Sequence, residues 1–372
     1  MKKLFITAAA AVVALAACSK TEVNTPDQAI SFEVANYKAA TKAEQSIGTT
    51  NTFKVNAYAH LDGVATAQNM MDDEVVAWNS DKKQWLPSRT YFWPKTGYIN
   101  FFAYTDLGTT PKYPTTTDEG NITYTTVDIA NDTDILVADA AYRYTGNANP
   151  TQYAKDDTGV TGVPILFHHV LAKVTFTVKV DATDAYNLIV PDGDKAKYTW
   201  EVVVDESKFG FANQGTTTFA FTDPSSKSHV AWNTYDTDKI KWTKTGDNST
   251  SPQASTVIGD ANKMTVSSAQ VVSDKKTLFN EISVLPQDLS SGYAKFSIKY
   301  TIKSTYTDGT AKTITETVTQ DLTDLLTYVP SITQWNMNTK YTYNIIIKPG
   351  EPIHFDPAVV EWETVTADDK II

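Results

Sequence analysis

Polar and apolar positions alternate along much of this chain. Phe53, Val55, Ala57, Ala59 and Leu61 are separated by more polar neighbours, and Val174, Phe176, Val178 and Val180 by Thr175, Thr177 and Lys179. The same period recurs at Phe296, Ile298, Tyr300 and Ile302, and again at Tyr341, Tyr343, Ile345 and Ile347. Successive side chains of a strand point to opposite faces, so each segment reads as a half-buried strand. Asp62-Gly63, Pro191-Asp192-Gly193, Asp308-Gly309 and Pro349-Gly350 punctuate them as turns. The best helical candidate, residues 321–328, is about two turns long. Strands are not interleaved with long helical stripes, which argues against a parallel α/β sheet. The pattern is that of an all-β chain folded into sandwiches.

The first residues depart from this pattern. Lys2 and Lys3 precede an uncharged apolar run over residues 4–17. A membrane span needs roughly 20 such residues, so the run reads as a signal peptide. It ends Leu15-Ala16-Ala17-Cys18, which resembles a lipobox, and Cys18 is the only cysteine. The expectation is cleavage before Cys18 and acylation of its thiol and new amino group; the plainer reading is an ordinary secretory peptide with an incidental cysteine. Acyl chains anchor well, at about 0.8 kcal/mol per buried CH₂. The roughly 350 residues that remain are too many for one ordinary core, and two domains are expected. A break falls near residue 168, after the Gly-, Thr- and Asp-rich stretch 156–162. Residues 19–29 read as a tether and residues 247–254 as an exposed loop, and no internal repeat stands out.

A net charge of −11 and a pI of about 4.9 disfavour nucleic acid as a partner. Arg89 and Arg143 are the only arginines, and the scarcity of that planar fork argues against a phosphate site. Nucleophile elbows, zinc-protease helices and Walker loops are missing from the sequence, and lipidation would consume the only thiol. The reading is no enzyme, no cofactor and no metal. Of the five histidines only His168 and His169 adjoin. On a strand they face opposite ways, so one is expected to pack and the other to be solvated. Asp192-Gly193-Asp194 reads as a turn, without the further ligands of a calcium loop. The aromatic cluster Tyr91-Phe92-Trp93, with residues 98–104 after it, reads as core filling before a sugar platform.

Several short motifs follow in order. Ile30-Ser31-Phe32 precedes Ala40-Thr41-Lys42-Ala43; Tyr91-Phe92-Trp93-Pro94 leads to Asn100-Phe101-Phe102-Ala103-Tyr104. Asp134-Ile135-Leu136-Val137-Ala138, Leu166-Phe167-His168-His169-Val170-Leu171-Ala172-Lys173-Val174, Leu285-Pro286-Gln287 and Ile353-His354-Phe355-Asp356-Pro357 with Trp362 complete the set. In this order, and with the lipobox, the chain resembles the fimbrillins of Bacteroidales, the Mfa-like subunits of type V pili.

The resemblance implies two transthyretin-like antiparallel β-sandwich domains, here residues 43–168 and 169–372, behind a signal peptide (1–17) and a tether with a removable first strand (18–42). It implies a precursor held in the outer membrane by lipid on Cys18. A trypsin-like protease would cut between Lys42 and Ala43 and release the strand that carries Ile30, Phe32 and Val34. Relatives processed by an arginine-specific protease carry Arg at that place; here it is Lys42, with Lys38 nearby, and an uncleaved surface lipoprotein is the other reading. The implied partners are other pilus subunits, one of which donates a C-terminal strand to the vacated groove. In this chain the donor would lie within residues 351–372. Ile353 and Phe355 alternate there, as do Val360 and Trp362, and Ile371-Ile372 ends the sequence. The same segment also reads as the last strand of its own sandwich. The roles left open are stalk subunit, tip adhesin for host or glycan ligands, and uncleaved base subunit, all at the cell surface.

Overall fold

Strands account for most of the architecture in a computed structural model that describes residues 29–34, 47–144, 162–221, 242–248, 251–255, 257–350 and 353–361. The first half holds β1 (Phe32–Val34), β2 (Thr52–His60), β3 (Gln68–Asn79), β4 (Gln84–Pro87), β5 (Tyr98–Asp106), β6 (Thr116–Asp118), β7 (Asn121–Asp128), β8 (Ile135–Ala138), β9 (Ala141–Tyr144), β10 (Val163–Ile165) and β11 (Phe167–His169). Then come β12 (Ala172–Val180), β13 (Tyr198–Gly210), β14 (Ala212–Ala220), β15 (Thr243–Asp247), β16 (Gln253–Ala254), β17 (Met264–Ser267) and β18 (Lys276–Val284). The last are β19 (Gln287–Asp288), β20 (Lys295–Asp308), β21 (Thr310–Asp324), β22 (Gln334–Trp335), β23 (Thr339–Ile347) and β24 (His354–Glu361).

The four segments of strict alternation are β2, β12, β20 and β23. Asp308-Gly309 closes the β20–β21 hairpin, where Gly309 takes a φ of +81° that a side chain would resist. The helical candidate is half strand: β21 runs through Asp324, and only the single turn Leu325–Tyr328 is helical. Among the described residues no helix is long and apolar enough to cross a membrane.

The first nine-stranded sheet runs β10-β1-β4-β3-β2-β5-β8-β11, with β9 against β5. Its two ends, β10 and β11, are separated in the chain by Leu166 alone. Two Cα steps span about 8 Å at most, so the sheet must curl until its ends meet. The enclosed core gathers Phe32, Phe53, Trp85, Phe101 and Phe167. Its outer side packs on a second sheet, β15-β14-β7-β6, around Phe102, Tyr104, Tyr124, Phe219 and Trp242. β5 is therefore buried on both faces, with Phe101 and Ala103 inward and Phe102 and Tyr104 outward. This is why the run Ile99 to Tyr104 shows no alternation. β8 repeats the arrangement with Leu136 and Ala138 against Ile135 and Val137.

The second sheet joins the two halves of the sequence, because β7 pairs with β14 across a long stretch of intervening chain. Beyond it, β18-β12-β23-β24 faces a five-stranded sheet of β16, β13, β20, β21 and β17. Phe176 of β12 stacks on Phe296 of β20 at 4.7 Å and meets Phe209 of β13 at 4.9 Å, which places the core between these sheets. Most pairings are antiparallel; β12–β23 and β1–β10 are parallel.

The histidine pair differs from expectation, since both side chains are buried. His168 Nε2 lies 3.2 Å from Asp139 and His169 Nδ1 2.6 Å from Asp134. β11 closes the curled sheet, so both of its faces are covered and neither ring reaches water. Of the aromatic cluster, Phe101, Phe102 and Tyr104 fill cores as read, Tyr91, Trp93 and Tyr98 are half-buried, and Phe92 is exposed.

Candidate functional site

The segment read as a removable strand sits inside the curled sheet. β1 pairs in parallel with β10, Phe32 opposite Val163 and Val34 opposite Ile165, and on its other edge Phe32 lies opposite Trp85 of β4. Ile30 N donates to Tyr91 O at 2.8 Å, and Val163 N donates to Ser31 O at 2.8 Å. Ile30, Phe32 and Val34 retain 1%, 1% and 8% of their exposure. The Phe32 ring meets Phe101 and Phe53 edge-on at 5.6 and 6.1 Å. Beside it, Gly162 leaves room for the strand: a Cβ there would lie 2.7 Å from the Phe32 carbonyl carbon. The slot is thus lined by side chains below and by two backbone edges.

One buried carboxylate holds the far wall. Glu74 accepts from Ser88 Oγ at 2.6 Å, Arg89 N at 3.0 Å and Tyr91 OH at 2.9 Å. Tyr91 is the residue whose carbonyl receives Ile30 N. Burial alone would raise the Glu74 pKa, but the hydrogen bonds outweigh it and hold the carboxyl below the ordinary glutamate range. The stability it lends is complete above the unfolded value of about 4.3 and is lost as pH falls through the lower folded value. Glu74→Gln is expected to lower the melting temperature at pH 7 and to flatten its decline between about pH 5 and 3. Parallel melting curves for the two proteins across that range would count against this role.

The C-terminal candidate lies far from the slot in sequence and is docked elsewhere. β24 pairs antiparallel with β23 from Thr339–Glu361 to Ile346–His354, and its outer edge carries no further strand among the described residues. Phe355 stacks on Tyr328 at 4.8 Å and meets Phe296 edge-on at 5.9 Å, while Ile353 packs beside it, half-buried. His354, Asp356, Ala358 and Val359 are exposed. Pro357 opposite Tyr343 suits an edge strand, since it has no N–H to offer a neighbour. Cys18, Lys42, Ala43, Trp362, Ile371 and Ile372, and the Val360 side chain, lie outside the described residues.

A likeness between the two segments went unread in the sequence. Ile30-Ser31-Phe32-Glu33-Val34 and Ile353-His354-Phe355-Asp356-Pro357 share isoleucine, phenylalanine and an acid at matching positions. In both, isoleucine and phenylalanine face a core.

The sequence model of the fimbrillin-like family matches residues 39–362. A search of curated protein sequences returned no match. Among solved structures, a fimbrial protein from Bacteroides vulgatus is similar over 90% of this chain and 99% of its own, at 17% identity and a TM-score of 0.50. A fimbrilin from Porphyromonas gingivalis covers 91% of this chain and 98% of its own at 10% identity and a TM-score of 0.33. The fimbrial anchor protein Mfa2 of the same species covers 90% and 97% at 13% identity and 0.28. The likeness to the Bacteroides protein is one of fold. The match of the family model along most of the sequence carries the assignment: this chain belongs to the fimbrillin-like family.

Proposed function

We propose that this fimbrillin-like chain is a stalk subunit of a type V pilus, exported as a lipoprotein on Cys18 and polymerised by strand exchange. Residues 43–168 and 169–372 would divide between two sandwich lobes, β14 and β15 of the later part crossing to complete the second sheet of the first lobe. The observation that carries the reading is the slot. β1 is three residues long, buried on its core side and bonded on both edges, yet it belongs to the N-terminal segment ahead of Lys42. Burying Ile30, Phe32 and Val34 contributes about 1.5–3 kcal/mol each, a sum comparable to the 5–15 kcal/mol that holds a domain together. While the chain is continuous, β1 is present at a high effective concentration. A cut between Lys42 and Ala43 makes it a separate peptide, which a strand from the next subunit can displace. An emptied slot exposes apolar rings and two unpaired edges, and an incoming strand satisfies both. A head-to-tail contact of this kind does not close on itself, so it grows a filament.

The test is cleavage of the purified precursor by a trypsin-like protease at Lys42, followed by sizing. Ladders of oligomers that survive mild denaturant are expected. Persistent monomers after complete cleavage would overturn the proposal.

One observation favours a second reading. β24 already completes its own sheet, as it would in a lipid-anchored base subunit that donates nothing. The N-terminus of protein sheared from cells separates the two: Ala43 for the stalk, acylated Cys18 for the anchor.

A further inference from the structure

The outer edge of β21 points to a second use of unpaired backbone. Among the described residues β21 is the last strand of its sheet and is bonded only to β20. Its register against β20 is unbroken from Thr310 to Gln320, and residues 310–317 are exposed on both faces. At about 3.4 Å per residue this is a straight edge of roughly 35 Å. Such edges are commonly blunted by proline, by bulges or by charge. Here residues 310–320 contain neither proline nor glycine, and the register breaks only between Gln320 and Thr323. At the middle sits Ile314, with 73% of its surface in water.

We infer that two copies of this chain pair antiparallel through β21, on a two-fold axis that passes through Ile314. In that register Ile314 faces its own counterpart and covers it. Lys312 of each copy falls opposite Glu316 of the other, and neither is ion-paired among the described residues of the monomer. Thr313 faces Thr315, Ala311 faces Thr317 and Thr310 faces Val318. Any other antiparallel register separates Lys312 from Glu316, and centring the pair on either residue sets like charge against like. Opposed charges and matched side chains stabilise a cross-strand pair, while like charges weaken it. The contact is self-complementary and closes after two copies, so it ties chains side by side. It uses no residue of β1 or β24 and stands whether or not strands are exchanged.

Facing Cα atoms of an antiparallel pair are about 4.5–5.5 Å apart, within the roughly 4.4–6.8 Å that a disulfide spans. In the full chain carrying Cys18→Ser, Ile314→Cys is therefore expected to form a disulfide-linked dimer under mild oxidation. Thr310→Cys is the control, since its counterpart would lie about 27 Å along the edge. In sedimentation, Lys312→Glu is expected to weaken dimerisation at least tenfold, and Lys312→Glu with Glu316→Lys to restore it. Because positions 310, 312, 314 and 316 are all exposed, circular dichroism should show each variant folded. Equal cross-linking at 310 and 314, or no recovery in the charge-swapped variant, would overturn the inference.

Discussion

Phe32→Ala is expected to destabilise the uncleaved precursor by about 3–5 kcal/mol, as large-to-small changes in a closed aromatic core do. For a chain of this size that is a fall in melting temperature on the order of 10 °C. The ring is enclosed by Phe53 and Phe101 and sits on a strand fixed at both edges. The cavity would therefore have little freedom to collapse. The effect should vanish once residues 1–42 have been cut away and displaced, because the mature subunit no longer contains the side chain. Calorimetry before and after cleavage reads both halves of the expectation. A loss below about 1 kcal/mol in the precursor would mean that the groove does not depend on its first strand.

The strands with one wet face were legible in the sequence because burial on one side writes a period of two. β5 and β8 were less so: with cores on both faces, Phe101 to Tyr104 and Ile135 to Ala138 become unbroken apolar runs. The His168-His169 reading failed for the same reason, since a sheet that closes on itself leaves β11 no solvent side. Pairing of β7 with β14 had no local signal, because the partners are far apart in sequence and each reads only as a strand. Ile30, Phe32 and Val34 were visible as an alternating set. Their place between β10 and β4 was not, since parallel pairing across such a distance depends on how the whole sheet curls. The Ile-x-Phe-acid pattern shared by residues 30–33 and 353–356 was present from the start; it gains meaning only when both segments are seen presenting isoleucine and phenylalanine to a core.

That shared pattern leads to the second large effect. Ile353→Ser combined with Phe355→Ser is expected to leave the monomer folded and to suppress polymerisation of the Lys42-cleaved subunit. In the monomer these side chains are only half-buried on an edge strand, and their loss should cost about 1–3 kcal/mol. In a neighbour's slot they would replace Ile30 and Phe32, each 1% exposed. Two side chains so enclosed are worth roughly 3–6 kcal/mol together. At about 1.4 kcal/mol per tenfold, affinity for the slot should fall by two to four powers of ten. The asymmetry is what lets one segment serve in both places: weakly held at home, it is free to open, and fully enclosed in the next subunit, it has reason to stay. Sizing of the cleaved variant beside cleaved wild type decides the matter. Equal ladders would assign the groove to some other part of residues 351–372, and an unfolded monomer would make β24 an integral strand of its own sandwich.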